Sequence, residues 1–366
     1  MNSKYKIPVY QTDLSGNERL YVNQALESSW ISSKGEFIER FERGFSEYVG
    51  VTQAISVCNG TVALHLAMLA LGIGATDEVI VPTLTYVAPV NAIRYVGATP
   101  VFVDSHQKSW QIDVNEIERA ITHKTRAIIA VHLYGQACDM VALKEIATKH
   151  RVFLVEDCSE AFGTTHAGCH VGSFGDIGTF SFFGNKTITT GEGGMVITNN
   201  KTLFERAKRF KGQGLAAYRE YWHDIIGHNF RMTNIAAAIG VAQLERAESI
   251  INLKRKLGKK YRSLMVGLPI EFHDPVENGD HTHWMVSILA RTTDVRDALR
   301  KHLANCGVET RPVFYPVHTM PMYSSSFQRF PIAEDIAWRG INLPSYHHIS
   351  DDDLNYVSDS MRSFFS

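Results

Sequence analysis

The sequence predicts an α/β protein: a large domain around a mixed, mostly parallel sheet, followed by a smaller α+β domain. Three observations carry this. From about residue 50, short apolar runs alternate with segments of helical periodicity, and such alternation builds a mainly parallel sheet covered by helices. The chain has 366 residues, enough for two sizeable cores. Near residue 250 the pattern changes to a charged helical stretch, NLKRKLGKKYRSLM, able to bridge to a second domain. The expected division places 1–248 in the large domain and 249–366 in the smaller one.

The elements follow in order. TVALHLAMLALG (61–72) has the apolar density of a buried helix and stops at Gly72. EVIVPT is a short buried strand, and ATPVFVD (98–104) another, ending at Asp104. VNEIERAIT reads as a helix and RAIIAVHLYG (126–135) as a strand. MVALKEIATKH is an amphipathic helix, and RVFLVEDCS (151–159) a strand that ends in acids. FSFF and MVIT are strand-like runs on either side of GNKTITTGEGG. In the second part WMVSILA (284–290) predicts a strand and VRDALRKHLANCG (295–307) a helix, before a proline-rich loop. Ligands of such sheets lie off the carboxyl ends of the strands. Asp104, His132, Asp157 and the loop around Lys186 all fall there.

Bulk composition excludes some classes. Hydrophobic content is 45%, charged content 20% and formal net charge −1, which argues against broad attraction to nucleic acid or a membrane surface. No run approaches the length of a transmembrane helix. The opening MNSKYKIPVYQTDLSG lacks the apolar core of a signal peptide. The cysteines Cys58, Cys138, Cys158, Cys169 and Cys306 are scattered and form no CxxC pair, so a reducing, cytoplasmic setting is expected. His281, His283, His347 and His348 lack further ligands at metal spacing and read as surface histidines. No GxGxxG opens a βαβ unit, so a dinucleotide fingerprint is missing.

Four stretches bear on chemistry. In VCNGTVALHLAML, Asn-Gly-Thr follows a strand and opens a helix; it is a plain helix start or an anion site at the helix N-terminus. In VEDCSEAFG, Asp157 ends an apolar strand; it is a helix cap or a counterion for a protonated ring nitrogen. Lys186 sits in SFFGNKTITTGEGG among small and hydroxyl residues. A partly desolvated lysine there has a lowered pKa and can attack a carbonyl to form a Schiff base, with Ser181 placed to donate to a phosphate. In GHNFRMTNIAAAIG, Asn229 and Arg231 precede a helix of small residues; they are a helix start capped by Asn234 or an anion-binding arm. With Tyr86 as an aromatic flank, these make the parts of a pyridoxal 5'-phosphate (PLP) site: a phosphate cup, a ring-nitrogen partner and an imine-forming lysine.

The same residues resemble the DegT/DnrJ/EryC1/StrS family of PLP-dependent sugar aminotransferases. The resemblance runs through WISSKGEFIERFE, SVCNGTVALHLAML, EVIVPTLTYVAPVNAI, VEDCSEAFGT, GDIGTFSFFGNKTITTGEGGMV, NFRMTNIAAAIG and ETRPVFYPVHTMPMY. It implies the aspartate-aminotransferase-like fold, PLP-dependent transferase fold type I, as a homodimer with active sites at the subunit interface. It implies Lys186 as the Schiff-base lysine and Asp157 beside the pyridine nitrogen. Gly60, Thr61 and Ser181 match the phosphate cup, Tyr86 the stacking position, and Asn229 the residue that reaches the phosphate from the second subunit. Glu160 stands near the phenolic oxygen, where many relatives have glutamine. Dehydratases of the family carry histidine at the lysine position; Lys186 therefore favours transamination over dehydration. SSWISSKGEF, FFGNKTITTGEGGMV and KGQGLAAYREYWHDIIGHNFRMTN narrow the resemblance to members acting on a GDP-linked 4-keto-6-deoxy sugar, with L-glutamate as amino donor. Arg219, Arg231 and Arg311 are candidates for the diphosphate, because guanidinium matches phosphate geometry. Tyr315 and His318 either line the sugar pocket or pack a loop between domains.

Overall fold

Side chains of a strand point alternately to opposite faces, so an apolar run buried on both sides needs two layers of helices. The computed structural model, which describes residues 5–324 and 327–366, supplies both layers. Seven strands form the main sheet: β1 (Gln53–Val57), β2 (Glu78–Pro82), β3 (Thr99–Val103), β4 (Thr125–Val131), β5 (Phe153–Asp157), β8 (Ile177–Ser181) and β9 (Gly194–Thr198). Their order is β1-β9-β8-β5-β4-β2-β3. β9 runs antiparallel to both neighbours, and the other pairings are parallel. A small hairpin, β6 (Thr165–His166) with β7 (Cys169–His170), lies between β5 and β8 in the chain.

Alternation decides which helix covers which face. Val79, Val81, Ala127 and Ile129 join α3 (Gly60–Leu71), α4 (Ala88–Tyr95) and α7 (Lys201–Lys211) in one core. Ile80, Ile128, Ala130 and Leu154 face the other way, against α5 (Val114–Ala120) and α6 (Met140–His150). On that side Phe180, Met195 and Ile197 meet α2 (Glu36–Val49) and α8 (Asn234–Glu245), and Ala25 of α1 (Glu18–Glu27) completes the layer.

The second core surrounds a four-stranded antiparallel sheet in the order β10-β11-β13-β12, formed by β10 (Ile270–Glu271), β11 (Val286–Ala290), β12 (Arg311–Pro312) and β13 (Gly340–Leu343). α10 (Thr293–Asn305) and α12 (Asp351–Phe365) bury Leu299, Leu303, Leu354 and Val357 in it, while α11 (Pro331–Arg339) packs Ile336 into an adjoining cluster. The N-terminal segment joins this core too: Ile7 pairs with Val308 and is fully buried. α9 (Ala247–Leu264) connects the cores, with Ile250 and Ile251 in the first and Leu257 and Tyr261 in the second. Among the described residues no helix is long and apolar enough to cross a membrane.

Three sequence expectations need correction. The run expected to be strand through residue 135 leaves the sheet at Val131, and Leu133–Gly135 form a 3₁₀ turn with Tyr134 at φ 58°. His281 and His347 are not surface residues; each is only 9% exposed. His281 accepts from the backbone N–H of His283 through Nδ1 and lies 3.1 Å from His273 through Nε2, and His347 pairs with Asp13 at 2.9 Å. Asn234 does not cap α8. Thr233 accepts from Ala236 N, whereas Asn234 turns its amide to Trp30 O and Phe37 N.

Midway along α9, Lys254 is 1% exposed and donates through Nζ to the carbonyls of Trp284 and Ser345. Burial pulls its pKa down to about 7. The unfolded chain then binds a proton between about pH 7 and 10 that the folded chain does not, so rising pH favours folding across that window. Urea denaturation of the wild type and Lys254→Met is expected to show a stability difference that grows with pH there, by at most about 1.4 kcal/mol per unit.

Candidate active site

The carboxyl ends of the parallel strands converge on one patch. β5 delivers Asp157, and the turn after it delivers Glu160; β4 leads into Tyr134, and β8 ends at Ser181. β1 runs into the N-terminus of α3. There Asn59 accepts from Val62 N at 2.9 Å through its side chain and from Ala63 N at 3.1 Å through its carbonyl. The amides of Gly60 and Thr61 are thereby left at the open end of the helix, where its dipole favours an anion. A Cβ on Gly60 would stand 2.6 Å from Ser181 Cβ; only glycine lets the hydroxyl of Ser181 reach the helix end.

Lys186 follows in the loop between β8 and β9. Its side chain is 13% exposed, and Nζ lies 3.8 Å from Glu160 Oε1 and 3.8 Å from the centre of the Trp284 indole. The loop is clamped from several directions. Tyr10 donates its phenol O–H to Lys186 O, Thr12 donates to Gly184 O at 2.8 Å, and Trp284 Nε1 donates to Asn185 O at 2.7 Å. Gly194 lies against the backbone of Asn59, where a Cβ would come within 2.6 Å of the Asn59 carbonyl oxygen. Burial lowers the Lys186 pKa and is opposed by the charges of Glu160 and Asp157. Burial raises Asp157, against its bond from Ser159 N. Burial raises Glu160 to about 7, against the pull of Lys186 and the bond from Tyr134 N at 2.8 Å. A base held below its ordinary pKa beside an acid held above it can exchange a proton near neutrality.

The neighbouring acid, Glu156, has a structural task. Its carboxylate accepts from Gly172 N and Gly175 N at 2.7 Å and from Phe174 N at 2.8 Å. His132, fully buried, accepts from Cys138 N through Nδ1, which leaves its proton on Nε2, 3.2 Å from Glu156. Asp104 is likewise absorbed, accepting from Ile332 N and Ala333 N at the start of α11.

A cleft of about 830 Å³ opens beside the lysine loop. Its walls include Thr85, Tyr86, Asn185, Trp284, Arg311 and Tyr315. The buried hydroxyl of Thr85 has no partner among the described residues, an unfilled donor and acceptor facing a space that can take a ligand. Tyr86 is 57% exposed and leans on Phe314. Arg311 is paired with Glu309 at 2.6 Å. Of the two readings of His318, its placement fits the packing one: it is buried between Thr83, at 2.7 Å, and Glu334, at 3.2 Å. Arg219 is exposed over the Trp222 ring, and Arg231 donates to Asn229 at 2.9 Å. Arg231 also bridges to Val57 at the end of β1, beside the start of α3. Sequence reasoning missed Tyr10, Tyr134, Trp284 and Thr85. Thr85 lay beside Tyr86 and Tyr134 two positions after His132, whereas Tyr10 and Trp284 are distant in the chain from every motif that bears on chemistry.

Comparison with known proteins follows the same geometry. The chain belongs to the DegT/DnrJ/EryC1/StrS aminotransferase family, whose model matches residues 12–362. It is 59% identical to the GDP-perosamine synthase of Escherichia coli O157:H7 over 98% of this chain and 99% of that one. It is 49% identical to the GDP-perosamine synthase of Vibrio cholerae, again over 98% and 99%. Among solved structures, Spr1654 from Streptococcus pneumoniae in its PLP form superposes with a TM-score of 0.94 at 27% identity, over 98% of each chain. The fold is therefore that of the type I PLP-dependent aminotransferases, and the chain is a PLP-dependent transaminase. The residues present fit the cofactor: an anion cup that a Cβ at Gly60 would fill, a buried acid at a strand end, and a desolvated amine.

Replacing Glu156 by Gln puts an NH₂ group against donors whichever way the amide turns, because each carboxylate oxygen accepts two N–H groups. Glu156→Gln is expected to lower the unfolding free energy by about 2–4 kcal/mol, measured by denaturant titration.

Proposed function

We propose that the protein transfers an amino group from L-glutamate to C4 of GDP-4-keto-6-deoxy-D-mannose, giving GDP-perosamine for a surface polysaccharide such as the O-antigen of lipopolysaccharide. The observation that carries the catalytic part is the amine of Lys186, 3.8 Å from Glu160 and mostly withdrawn from solvent. The sugar nucleotide is supported by 59% identity across 98% of the chain to a GDP-perosamine synthase. PLP, when bound, supplies an aldehyde carbon that takes up the amino group and a ring that withdraws electrons from the bond being broken.

This chain's own residues then have defined tasks. Lys186 binds the aldehyde carbon between turnovers and, once displaced, moves a proton from the donor's α-carbon with its amine. Asp157 holds a proton on the ring nitrogen; its burial leaves the charged carboxylate in need of that partner. Gly60, Thr61 and Ser181 receive the phosphate at the end of α3. Tyr86 flanks the ring, and Glu160 stands at the phenolic oxygen, where a shared proton relieves repulsion. Arg311 and Tyr315 of the cleft bind the sugar nucleotide. Asn229 serves the phosphate of a second copy in a homodimer, and Arg219 and Arg231 serve the diphosphate.

Purified protein is expected to show a visible cofactor band that L-glutamate bleaches and GDP-4-keto-6-deoxymannose restores, with GDP-perosamine detected by mass. Lys186→Ala is expected to lack the band. Bleaching without restoration would keep the aminotransferase and replace the sugar, for instance by a UDP- or dTDP-linked ketose. Initial rates against both substrates should give parallel reciprocal plots; intersecting lines would rule out a shared site used in turn.

A further inference from the structure

The second core sends one side chain to the lysine. Trp284 precedes β11, is 4% exposed, and meets the lysine loop in two ways. Its Nε1–H holds the carbonyl of Asn185, the residue before Lys186, at 2.7 Å, and its ring face lies 3.8 Å from the Lys186 Nζ. The ring is held in turn. It stacks on Tyr134 at 6.1 Å between centroids and 11° between planes, and its carbonyl accepts from Lys254. Tyr134 also stacks on Phe314 at 5.3 Å and gives its backbone N–H to Glu160. One aromatic stack therefore fixes both the indole and the carboxyl that face the amine.

We propose that Trp284 is a positioning residue that receives the Lys186 amine when that amine is free of the cofactor and carries a proton, holding it in register between the indole face and Glu160. This deepens the reading given above and rests on it. A free lysine end swings about four bonds and seeks water. In a site closed to most water, the π face offers the ammonium a partner without taking its proton. A carboxylate pair alone would hold the ammonium by hydrogen bonds that must break before it can act; an indole face releases it more easily. The charged and titratable groups facing the amine are Glu160 and Asp157 from the end of β5. Tyr10 bonds the Lys186 carbonyl, and Tyr134 lies behind Glu160.

The test uses cofactor-free protein mixed with PLP, the visible band being followed in time from neutral to alkaline pH. Formation of the C=N bond consumes the unprotonated amine and releases one water. The indole favours the protonated amine, so its removal lowers the lysine's pKa and moves the loading profile to lower pH. Trp284→Leu is expected to reach the wild-type final band, with the plateau rate reduced about tenfold and the midpoint lowered by about half a unit to one unit. Trp284→Phe keeps a ring face but no N–H donor, and is expected to load more slowly with a smaller shift. Thermal unfolding in the same buffers reports whether each variant is folded. A folded Trp284→Leu with wild-type rate and midpoint overturns the proposal. If that variant does not fold, Trp284→Phe decides through the midpoint, because phenyl is the weaker partner for a cation: a midpoint below that of the wild type supports the role, and an unchanged midpoint overturns it. A wild type that forms no band overturns the reading of Lys186 beneath this one. A normal wild-type band with unchanged variants overturns this proposal alone.

Discussion

An amine and two carboxyl groups are kept out of water at the carboxyl edge of the main sheet, and much of the chain's arrangement follows from that constraint. Burial works against the charge on Lys186, Asp157 and Glu160 alike, and only their mutual attraction and a few backbone donors offset it. Such a cluster persists only where the surroundings are rigid. The lysine loop is accordingly tied to the N-terminal segment through Tyr10 and Thr12 and to the second core through Trp284. The second core thus forms part of the wall of the site.

A second buried carboxylate keeps that edge in shape. Glu156 precedes Asp157 on the same strand, so the two side chains point to opposite faces. One gathers three backbone N–H groups from the loop before β8 and the N–H of His132; the other remains poorly satisfied. Adjacent acids in one short sequence are divided between folding and chemistry by the pleat of the strand. A well-satisfied carboxylate is committed to holding its loop, while a desolvated one with few donors shifts its pKa and waits for a partner.

Much of this was legible in the chain. The helix ending at Gly72, the strand ending at Asp157 and the lysine between two strands follow from alternation, capping and glycine placement, all of which act over a few residues. His132 and Asp104 also lie at strand ends and carried the same signal, yet they serve packing and helix capping. Strand-end position marks where a ligand can lie, and the donors that fold in from elsewhere decide which acid is left over. His347 looked like a surface residue because its partner, Asp13, is 334 positions away.

By itself the sequence determined the mostly parallel sheet, the helix start at Asn59–Thr61 and the place of Lys186 between two strands, because each rests on local periodicity or on residue types a few positions apart. Tertiary structure alone decided that Trp284 and Glu160 face the Lys186 amine, that Tyr134 supports both, and that His318 packs between Thr83 and Glu334. Those contacts join segments separated by tens to hundreds of residues. Their geometry is set by how two cores close on each other, and no local pattern in the chain encodes that closure.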